Sequence, residues 1–272
     1  MPRLPTLYIP HGGGPCFFMD WNPPHTWDRM AAWLRGLAAD IGARPRAVLV
    51  ISAHWEEPRV SVNVQAAPPL LFDYYGFPPH TYALRYPAPG DPELAARVQA
   101  LLAAGGVPSR AETERGLDHG VFVPFMLIYP QADVPIVQLS LHASLDAAAH
   151  LALGALLAPL REEGVLIVGS GMSYHNMRGL MGGADPGPDS ERFDAWLAAA
   201  CTAAPSERTR LLSHWEQAPA ARACHPREEH LLPLMVAAGA GGDDSGRRVF
   251  RDRVMGATVS AFAFGAWAGR TL

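Results

Sequence analysis

Apolar runs typical of buried strands alternate along this chain with segments whose apolar residues recur at helical spacing. The clearest run, residues 46–55, is apolar and mostly β-branched until it ends in His54 and Trp55. Such continuous apolarity is typical of a strand that is buried on both faces, as in a parallel sheet. A second strand-like run covers residues 4–9, and residues 26–41 between the two runs have helical spacing. The N-terminal part therefore predicts a β–α–β unit, whose crossover we expect to be right-handed.

The same alternation continues to the C-terminus and predicts an α/β fold. Further strands are predicted at residues 60–64, 134–141 and 165–168, followed by a closing β-hairpin or pair of edge strands at residues 249–254 and 258–264. Further helices are predicted at residues 91–102, 121–129, 190–203 and 206–216. Another is predicted from a cap at Ser144 to residue 163. The last predicted helix begins at Pro226 and carries Glu228, Glu229 and His230. We expect a single domain over residues 1–272, with a mostly parallel central sheet flanked by helices.

Residues 66–90 fit neither pattern and are rich in aromatic residues and proline. Stretches of this length without secondary structure are uncommon in a compact domain and are often functional. Because this stretch is apolar rather than polar, we expect it to pack against the domain and to form a wall of a substrate pocket.

Composition narrows the class of protein. Apolar residues make up 49% of the chain, which is typical of a globular domain. No apolar run reaches the ~18 to 20 residues of a membrane helix, and the first residues lack the basic and apolar segments of a secretory signal. We therefore expect a cytoplasmic protein without a membrane partner. The net charge of −4 and the lack of a basic block argue against a nucleic-acid partner.

The cysteines add little chemistry. Cys16, Cys201 and Cys224 are far apart and odd in number, and they show no C-x-x-C spacing. This pattern predicts reduced, intracellular thiols rather than a disulfide framework. Cys16 follows closely after His11, but we interpret it as a small buried thiol rather than a nucleophile.

Five of the eleven histidines occupy positions that favour a shared site: His11, His54, His119, His175 and His230. Four lie at the end of a predicted strand or in a glycine turn, and the fifth follows two glutamates in the first turn of a predicted helix. In open α/β sheets, ligands bind beyond the carboxyl ends of the strands, where side chains from distant segments can meet. Imidazole is a common ligand of zinc, iron, copper and nickel. The residues therefore predict a metalloenzyme, without specifying the metal or choosing between hydrolysis and oxygen activation.

Several short motifs occur in an order and spacing that resemble a known family. They are His11-Gly-Gly-Gly-Pro, Ser52-Ala53-His54-Trp55, Asp118-His119-Gly120, Ser173-Tyr174-His175-Asn176 and Glu229-His230-Leu-Leu-Pro233. Each motif is weak alone, but the ordered set is similar to the DOPA-dioxygenase-like members of the class III extradiol ring-opening dioxygenases, the LigB superfamily. The resemblance covers nearly the whole chain. One departure is the first loop, which reads His-Gly-Gly-Gly-Pro where better-known members have His-Gly-Ser-Pro.

This resemblance implies an extradiol dioxygenase that opens the ring of a small catecholic substrate with O2. It implies that His11, His54 and His230 bind the metal. Some members of the wider superfamily use a carboxylate as the third ligand, so Glu229 competes with His230 for that position. The implied metal is non-haem Fe(II) for activity, with Zn(II) as the alternative in the isolated protein.

The resemblance also gives roles to two histidines outside the metal shell. His175 matches the proton-transferring histidine, and His119 matches a second active-site histidine that contacts substrate or oxygen. A zinc-dependent hydrolase or amidase on the same scaffold would share the metal ligands but would not need O2. A non-enzymatic memo-like protein would use the cleft for recognition alone, and the presence of two proton carriers argues against it. The catechol, the regiochemistry of cleavage and the formation of a homo-oligomer stay open.

Overall fold

The computed structural model of the chain describes residues 3–271. Within this part of the chain, eight strands form one sheet: β1 (Thr6–Pro10), β2 (Ala47–Glu57), β3 (Ser61–Asn63), β4 (Arg110–Glu112), β5 (Ile136–His142), β6 (Val165–Gly171), β7 (Gly246–Val254) and β8 (Ala257–Phe264). The same residues form nine α-helices: α1 (Asp28–Ile41), α2 (Pro92–Ala104), α3 (His119–Ile128), α4 (Ala147–Leu157), α5 (Met177–Leu180), α6 (Gly187–Thr202), α7 (Pro205–Ser213), α8 (Ala221–Cys224) and α9 (Leu232–Gly241).

The strands lie in the order β4-β3-β5-β2-β6-β1-β8-β7. The four central strands are parallel to one another, whereas β7 and β8 form an antiparallel hairpin along one edge. Successive residues of β2 from Ala47 to Ala53 are all buried, so this strand is covered on both faces. The predicted α/β fold, with a mostly parallel sheet and C-terminal edge strands, is confirmed. Strand β6 lies between β1 and β2, which the local β–α–β pattern does not predict.

The carboxyl ends of three central strands lie at the same edge of the sheet. Strand β1 ends opposite Gly171, and Ser52 of β2 lies opposite Ser170. His11 directly follows β1, and His54 lies where the pairing of β2 with β5 shifts its register. Irregular strand ends of this kind re-aim side chains, so both histidines can face the crevice above the sheet.

Helix α4 is shorter than predicted at both ends. Its cap is Asp146, whose carboxylate accepts a hydrogen bond from the backbone N–H of Ala149 at 2.6 Å, so the predicted cap at Ser144 is wrong. The α-helix ends before a 3-10 turn at Ala158–Arg161. Pro159 explains this end, because proline has no N–H for the next helical hydrogen bond.

The predicted helix from Pro226 is also wrong, because His230 lies in a turn that precedes α9. In this turn the backbone N–H of Leu231 donates to the carbonyl oxygen of Glu228 at 2.8 Å. Helix α9 begins afterwards with Pro233 in its first turn, where a missing N–H has no cost to the helix. His230 is therefore held by a turn rather than by helical geometry.

The long irregular stretch, residues 66–90, packs against the domain as predicted. It contains a 3-10 turn at Pro79–Ala83 and no α-helix. Tyr74 is only 8% exposed, and its hydroxyl donates to the carbonyl oxygen of Thr81 at 2.7 Å. The stretch is thus an ordered wall whose aromatic side chains are available to line a cavity.

The composition also led to predictions about membrane-spanning helices and about the state of the cysteines. No helix within residues 3–271 is long and apolar enough to cross a bilayer. Cys16, Cys201 and Cys224 are free and buried. Burial raises the pKa of each thiol, that of Cys224 to about 12, so the reactive thiolate form is disfavoured. This agrees with the interpretation of Cys16 as a small buried thiol.

The cap of α4 can be tested by stability. We expect Asp146→Ala to lower the free energy of unfolding by about 1 kcal/mol, because it removes the acceptor of a first-turn N–H. Urea unfolding followed by circular dichroism measures this change. The matched control is Ser144→Ala, which should lower the free energy of unfolding by less than about half of that amount. An equal or larger loss in the control would contradict the assignment.

Candidate metal centre and active site

Three histidines from distant parts of the chain meet above the carboxyl edge of the sheet. His11 comes from the end of β1, His54 from the irregular end of β2, and His230 from the turn before α9. The Nε2 atoms of His11 and His54 are 3.1 Å apart. One ring nitrogen of each of the three histidines lies within 4.8 Å of the other two. The arrangement matches the three-sided face that a metal ion with open positions requires.

The second nitrogen of each of these rings faces a polar side chain. Nδ1 of His11 is 3.1 Å from the hydroxyl of Ser170. This hydroxyl donates its own proton to a backbone carbonyl, so it accepts one from the ring. Nδ1 of His230 donates to Glu229 at 2.9 Å, and Nδ1 of His54 lies 3.8 Å from Asp73, too far for a hydrogen bond. Nε2 of His11 and of His230 is then a lone-pair acceptor, and a cation between the three rings would satisfy both lone pairs.

The electrostatic surroundings keep these rings neutral. Burial lowers the pKa of His11 and of His230 well below the ordinary value, and the neighbouring imidazoles lower it further. Burial, and then the charge of His119, lower the pKa of His54 to about 3, although Asp73 acts in the opposite direction. Neutral imidazole is the form that binds a metal, so the three residues fit a metal centre without first losing protons near pH 7.

The carboxylate of Glu229 faces the Nδ1 atoms of two of the histidines rather than their Nε2 atoms. Its Oε1 accepts from Nδ1 of His230 at 2.9 Å and lies 3.1 Å from Nδ1 of His175. The rings of His175 and His230 are stacked, with centroids 3.3 Å apart. One carboxylate therefore orients two imidazoles and fixes which nitrogen of each ring carries the proton.

Asp73 plays the same part on the other side of the site. Its carboxylate accepts from both the backbone N–H and Nδ1 of His119, at 2.9 and 2.8 Å, and it also faces His54. The sequence interpretation missed Asp73, although it lies in the long aromatic stretch that was expected to form a pocket wall. Its only signal in the sequence is a single acidic residue within an otherwise apolar segment.

A buried polar network fixes the backbone around His54. The hydroxyl of Ser52 donates to Asp118 at 2.7 Å and accepts from the backbone N–H of His54 at 3.2 Å. Arg115 donates to the carbonyl oxygen of His54 at 3.0 Å and to Asp118 at 3.2 Å. Gln138 also donates to this carboxylate. Such contacts fix the backbone, and with it the ring position, of a candidate metal ligand.

Two glycines of β6 let the turn with His230 lie directly against the sheet. A Cβ atom at Gly171 would overlap the carbonyl oxygen of His230, and one at Gly169 would overlap that of Pro233. The carbonyl oxygen of His230 also accepts a hydrogen bond from the hydroxyl of Tyr8 at 2.7 Å. The position of His230 therefore depends on a close approach of two backbones, which only glycine allows.

All five predicted histidines line one cavity of about 450 Å³. Away from the histidines its walls are aromatic or aliphatic, and they include residues from the loop after β1, from the long aromatic stretch and from α5. Burial raises the pKa of Tyr74 and of Tyr174, two residues of these walls, to about 12, so both phenols are neutral near pH 7. The cavity combines a polar floor with apolar walls, as binding sites for small organic molecules do.

The fold and this site define an α/β protein with a histidine-lined cavity at the carboxyl edge of a mostly parallel sheet. Residues 6–263 match the model of the family described as the catalytic LigB subunit of aromatic ring-opening dioxygenase. The chain belongs to this LigB family. The prediction that it is a ring-cleaving dioxygenase, made from the ordered motifs, is confirmed.

Individual relatives agree with this assignment. The chain is 42% identical over 242 residues to a protein of Beta vulgaris named 4,5-DOPA dioxygenase extradiol, covering 88% of each chain. It is 37% identical over 282 residues to Dioxygenase tasH of Hapsidospora irregularis, covering 97% of this chain and 86% of that one. The crystal structure of an uncharacterized protein from Escherichia coli K12 superposes with a TM-score of 0.76 at 31% identity, over 97% of this chain and 100% of that one.

The role of the β6 glycine can be tested by adding one methyl group. We expect Gly171→Ala to displace the turn that carries His230. Zn(II) binding should weaken by at least about tenfold, as it does when the contacts that orient a metal ligand are lost. Titration calorimetry of the metal-free protein gives the affinity.

Gly36→Ala in α1 is the matched control, because a Cβ atom there meets no atom within 4 Å. It should leave Zn(II) affinity unchanged. Unchanged affinity in Gly171→Ala as well would show that the close approach does not position His230.

Proposed function

We propose that this chain, as a single catalytic domain over residues 1–272, is a metal-dependent extradiol dioxygenase that opens the ring of a small catechol with O2. The observation that carries the proposal is the convergence of three neutral imidazoles at the floor of an apolar cavity, with one ring nitrogen of each within 4.8 Å of the other two. The names of relatives such as the Beta vulgaris 4,5-DOPA dioxygenase extradiol support a catecholic substrate. Family membership favours ring cleavage over the hydrolase and the binding protein that the residues also allow.

His11, His54 and His230 are the proposed metal ligands. We prefer His230 to Glu229 as the third ligand, because Glu229 already accepts a hydrogen bond from one imidazole and lies within 3.1 Å of a second. Non-haem Fe(II) would supply an open coordination face for the catechol and O2 and the means of passing electrons between them. Zn(II) fits the same nitrogen ligands and is the ion we expect to compete for the site.

His175 is the proposed proton acceptor for the substrate. Its Nδ1 lies 3.1 Å from Oε1 of Glu229, so Nε2 is the nitrogen left for the cavity that the ring lines. A neutral Nε2 can take the proton from a catechol hydroxyl, and the carboxylate of Glu229 then stabilises the imidazolium. The same residue can return the proton to an oxygen atom later in the reaction.

His119 is the proposed second proton carrier, positioned by Asp73. Its ring lies 4.0 Å from that of His54, measured between centroids, and 5.5 Å from that of His11. Because Asp73 binds both the backbone N–H and Nδ1 of His119, the ring has little freedom to turn. Its Nε2 is thereby directed to the cavity, where it can donate a hydrogen bond to substrate or oxygen.

The function is tested by anaerobic reconstitution with Fe(II), followed by addition of a catechol and O2. We expect oxygen consumption together with a yellow, ring-opened product. A zinc hydrolase would consume no oxygen under these conditions. If an iron-loaded protein consumes no oxygen with any of a panel of catechols, the proposal is wrong.

Paired histidine variants separate metal binding from proton transfer. We expect His54→Ala to lose bound iron, because one of three ligands is removed. His175→Ala should keep its iron while turnover falls by about 10²- to 10⁴-fold, the usual contribution of a general base. Metal analysis and oxygen uptake on the same samples give both quantities. The opposite pattern would exchange the two assigned roles.

Asp73 variants test whether His119 must be held in place. We expect Asp73→Ala to lower kcat by about 10- to 100-fold, because the hydrogen bonds that hold His119 are lost, with a smaller change in KM. Asp73→Asn keeps an acceptor for one His119 N–H and should recover part of the loss. Iron content is measured in parallel. Equal kcat values for the two variants would show that the hydrogen bond does not position the ring.

A further inference from the structure

The cavity extends well beyond the space that one catechol ring needs at the histidines. Its volume of about 450 Å³ lies within the range of cavities that bury drug-sized ligands, roughly 300–1,000 Å³. Trp21, Trp27 and Phe77 form an aromatic part of the wall, and α5 with the residue after it contributes Met177, Leu180 and Met181. A ring bound at the histidines therefore leaves a second compartment for its substituent.

The walls of this second compartment carry no formal charge. Among residues 3–271, none that line the cavity is an aspartate, glutamate, lysine or arginine. The nearby carboxylates of Asp73 and Glu229 are occupied by imidazoles. Arg178 belongs to α5, but its side chain is exposed and does not line the cavity. An ammonium or carboxylate group in this compartment would lose hydration without gaining an oppositely charged partner, which is costly.

The mouth of the cavity is apolar as well. Met177 is 50% exposed and Met181 is 76% exposed, although both are large apolar side chains. Exposed apolar surface beside a cavity is a common mark of a ligand site. Thioethers adapt to ligands of different shape, so a substituent that extends from the ring could cover both residues.

We infer that the substrate is a catechol with an uncharged, apolar substituent, such as an alkyl or aryl chain, rather than a catechol with an amino-acid side chain. The inference rests on the proposed function for the catechol end of the substrate, and it adds the chemistry of the other end. It separates this chain from relatives whose name specifies DOPA, a zwitterionic catechol. Met177, Leu180 and Met181 are the specificity-determining residues that it names.

The first experiment compares catechols whose substituents share a three-carbon chain and differ in the charged groups that it carries. They are 4-propylcatechol, hydrocaffeate and DOPA, titrated anaerobically into the iron-loaded protein and followed by calorimetry. We expect 4-propylcatechol to bind at least about tenfold more tightly than DOPA, because no aspartate, glutamate, lysine or arginine within residues 3–271 lines the cavity to pair with either charge. From 4-methylcatechol to 4-butylcatechol, each added methylene should tighten binding about fourfold.

The second experiment introduces a charge at the mouth. We expect Met181→Arg to tighten hydrocaffeate binding about two- to fivefold, the range of an exposed ion pair, and to weaken 4-butylcatechol binding. Met181→Leu, which adds no charge, should not tighten hydrocaffeate binding. Tyr75→Arg is the matched control, because Tyr75 is 92% exposed but does not line the cavity, so the same charge there should not alter selectivity.

The outcomes separate this inference from the proposed function. Tighter binding of DOPA or hydrocaffeate than of 4-propylcatechol would overturn the inference, as would an equal response to Met181→Arg and Tyr75→Arg. If Met181→Arg instead converts a dimer to a monomer in sedimentation and leaves selectivity unchanged, the methionines cover a second copy of the chain and the inference is wrong. Tight binding of 4-propylcatechol without oxygen consumption by any catechol would leave the apolar site in place and overturn ring cleavage.

Discussion

Carboxylates that accept hydrogen bonds from Nδ1 of imidazoles are the interaction on which the site depends. Glu229 lies within hydrogen-bonding distance of His230 and His175, and Asp73 holds His119 and faces His54. The hydrogen-bonded contacts of His230, His175 and His119 determine which ring nitrogen carries the proton, and so leave Nε2 as the atom that faces the cavity. Without these carboxylates, imidazoles this close together could turn to hydrogen-bond one another, and no set of lone pairs would point to a common centre.

The sheet provides the frame that brings these groups together. Parallel strands β1, β6 and β2 end at one edge, so residues that follow them are neighbours in space although they are far apart in sequence. The glycines of β6 add a second constraint, because they admit the backbone of the His230 turn against the strand. The polar network of Ser52, Asp118 and Arg115 then fixes the backbone of His54. Rigid backbone elements therefore supply the ligands, and side-chain hydrogen bonds orient them.

The sequence predicts the parts of this site that follow from strand patterns. His11 and His54 stand directly after or within buried apolar runs, and the sheet rule places such residues at the ligand-binding edge. The role of Asp73 and the start of α9 cannot be predicted in this way, because neither follows from a local pattern of hydrophobic residues. Asp73 acquires its role only when the long stretch folds across the strand ends. The turn around His230 resembles a helix start in sequence, since Pro226 and Pro233 are both compatible with a first helical turn. Packing against β6 determines that the helix begins near Pro233 rather than at Pro226.

The distribution of polarity in the cavity follows from the chemistry it must support. Three buried imidazoles, with two more and two carboxylates beside them, are costly to desolvate, and the fold tolerates them because nearly every ring has a hydrogen-bond partner. Apolar walls over the remaining surface exclude water from this end, which strengthens the interactions that orient protons there. Placing further charges along the walls would weaken that effect and add desolvation costs of their own. A cavity whose polar groups are concentrated at the histidine-lined floor can therefore hold the polar end of a ligand there, while the rest of the ligand is selected by shape and by apolar surface.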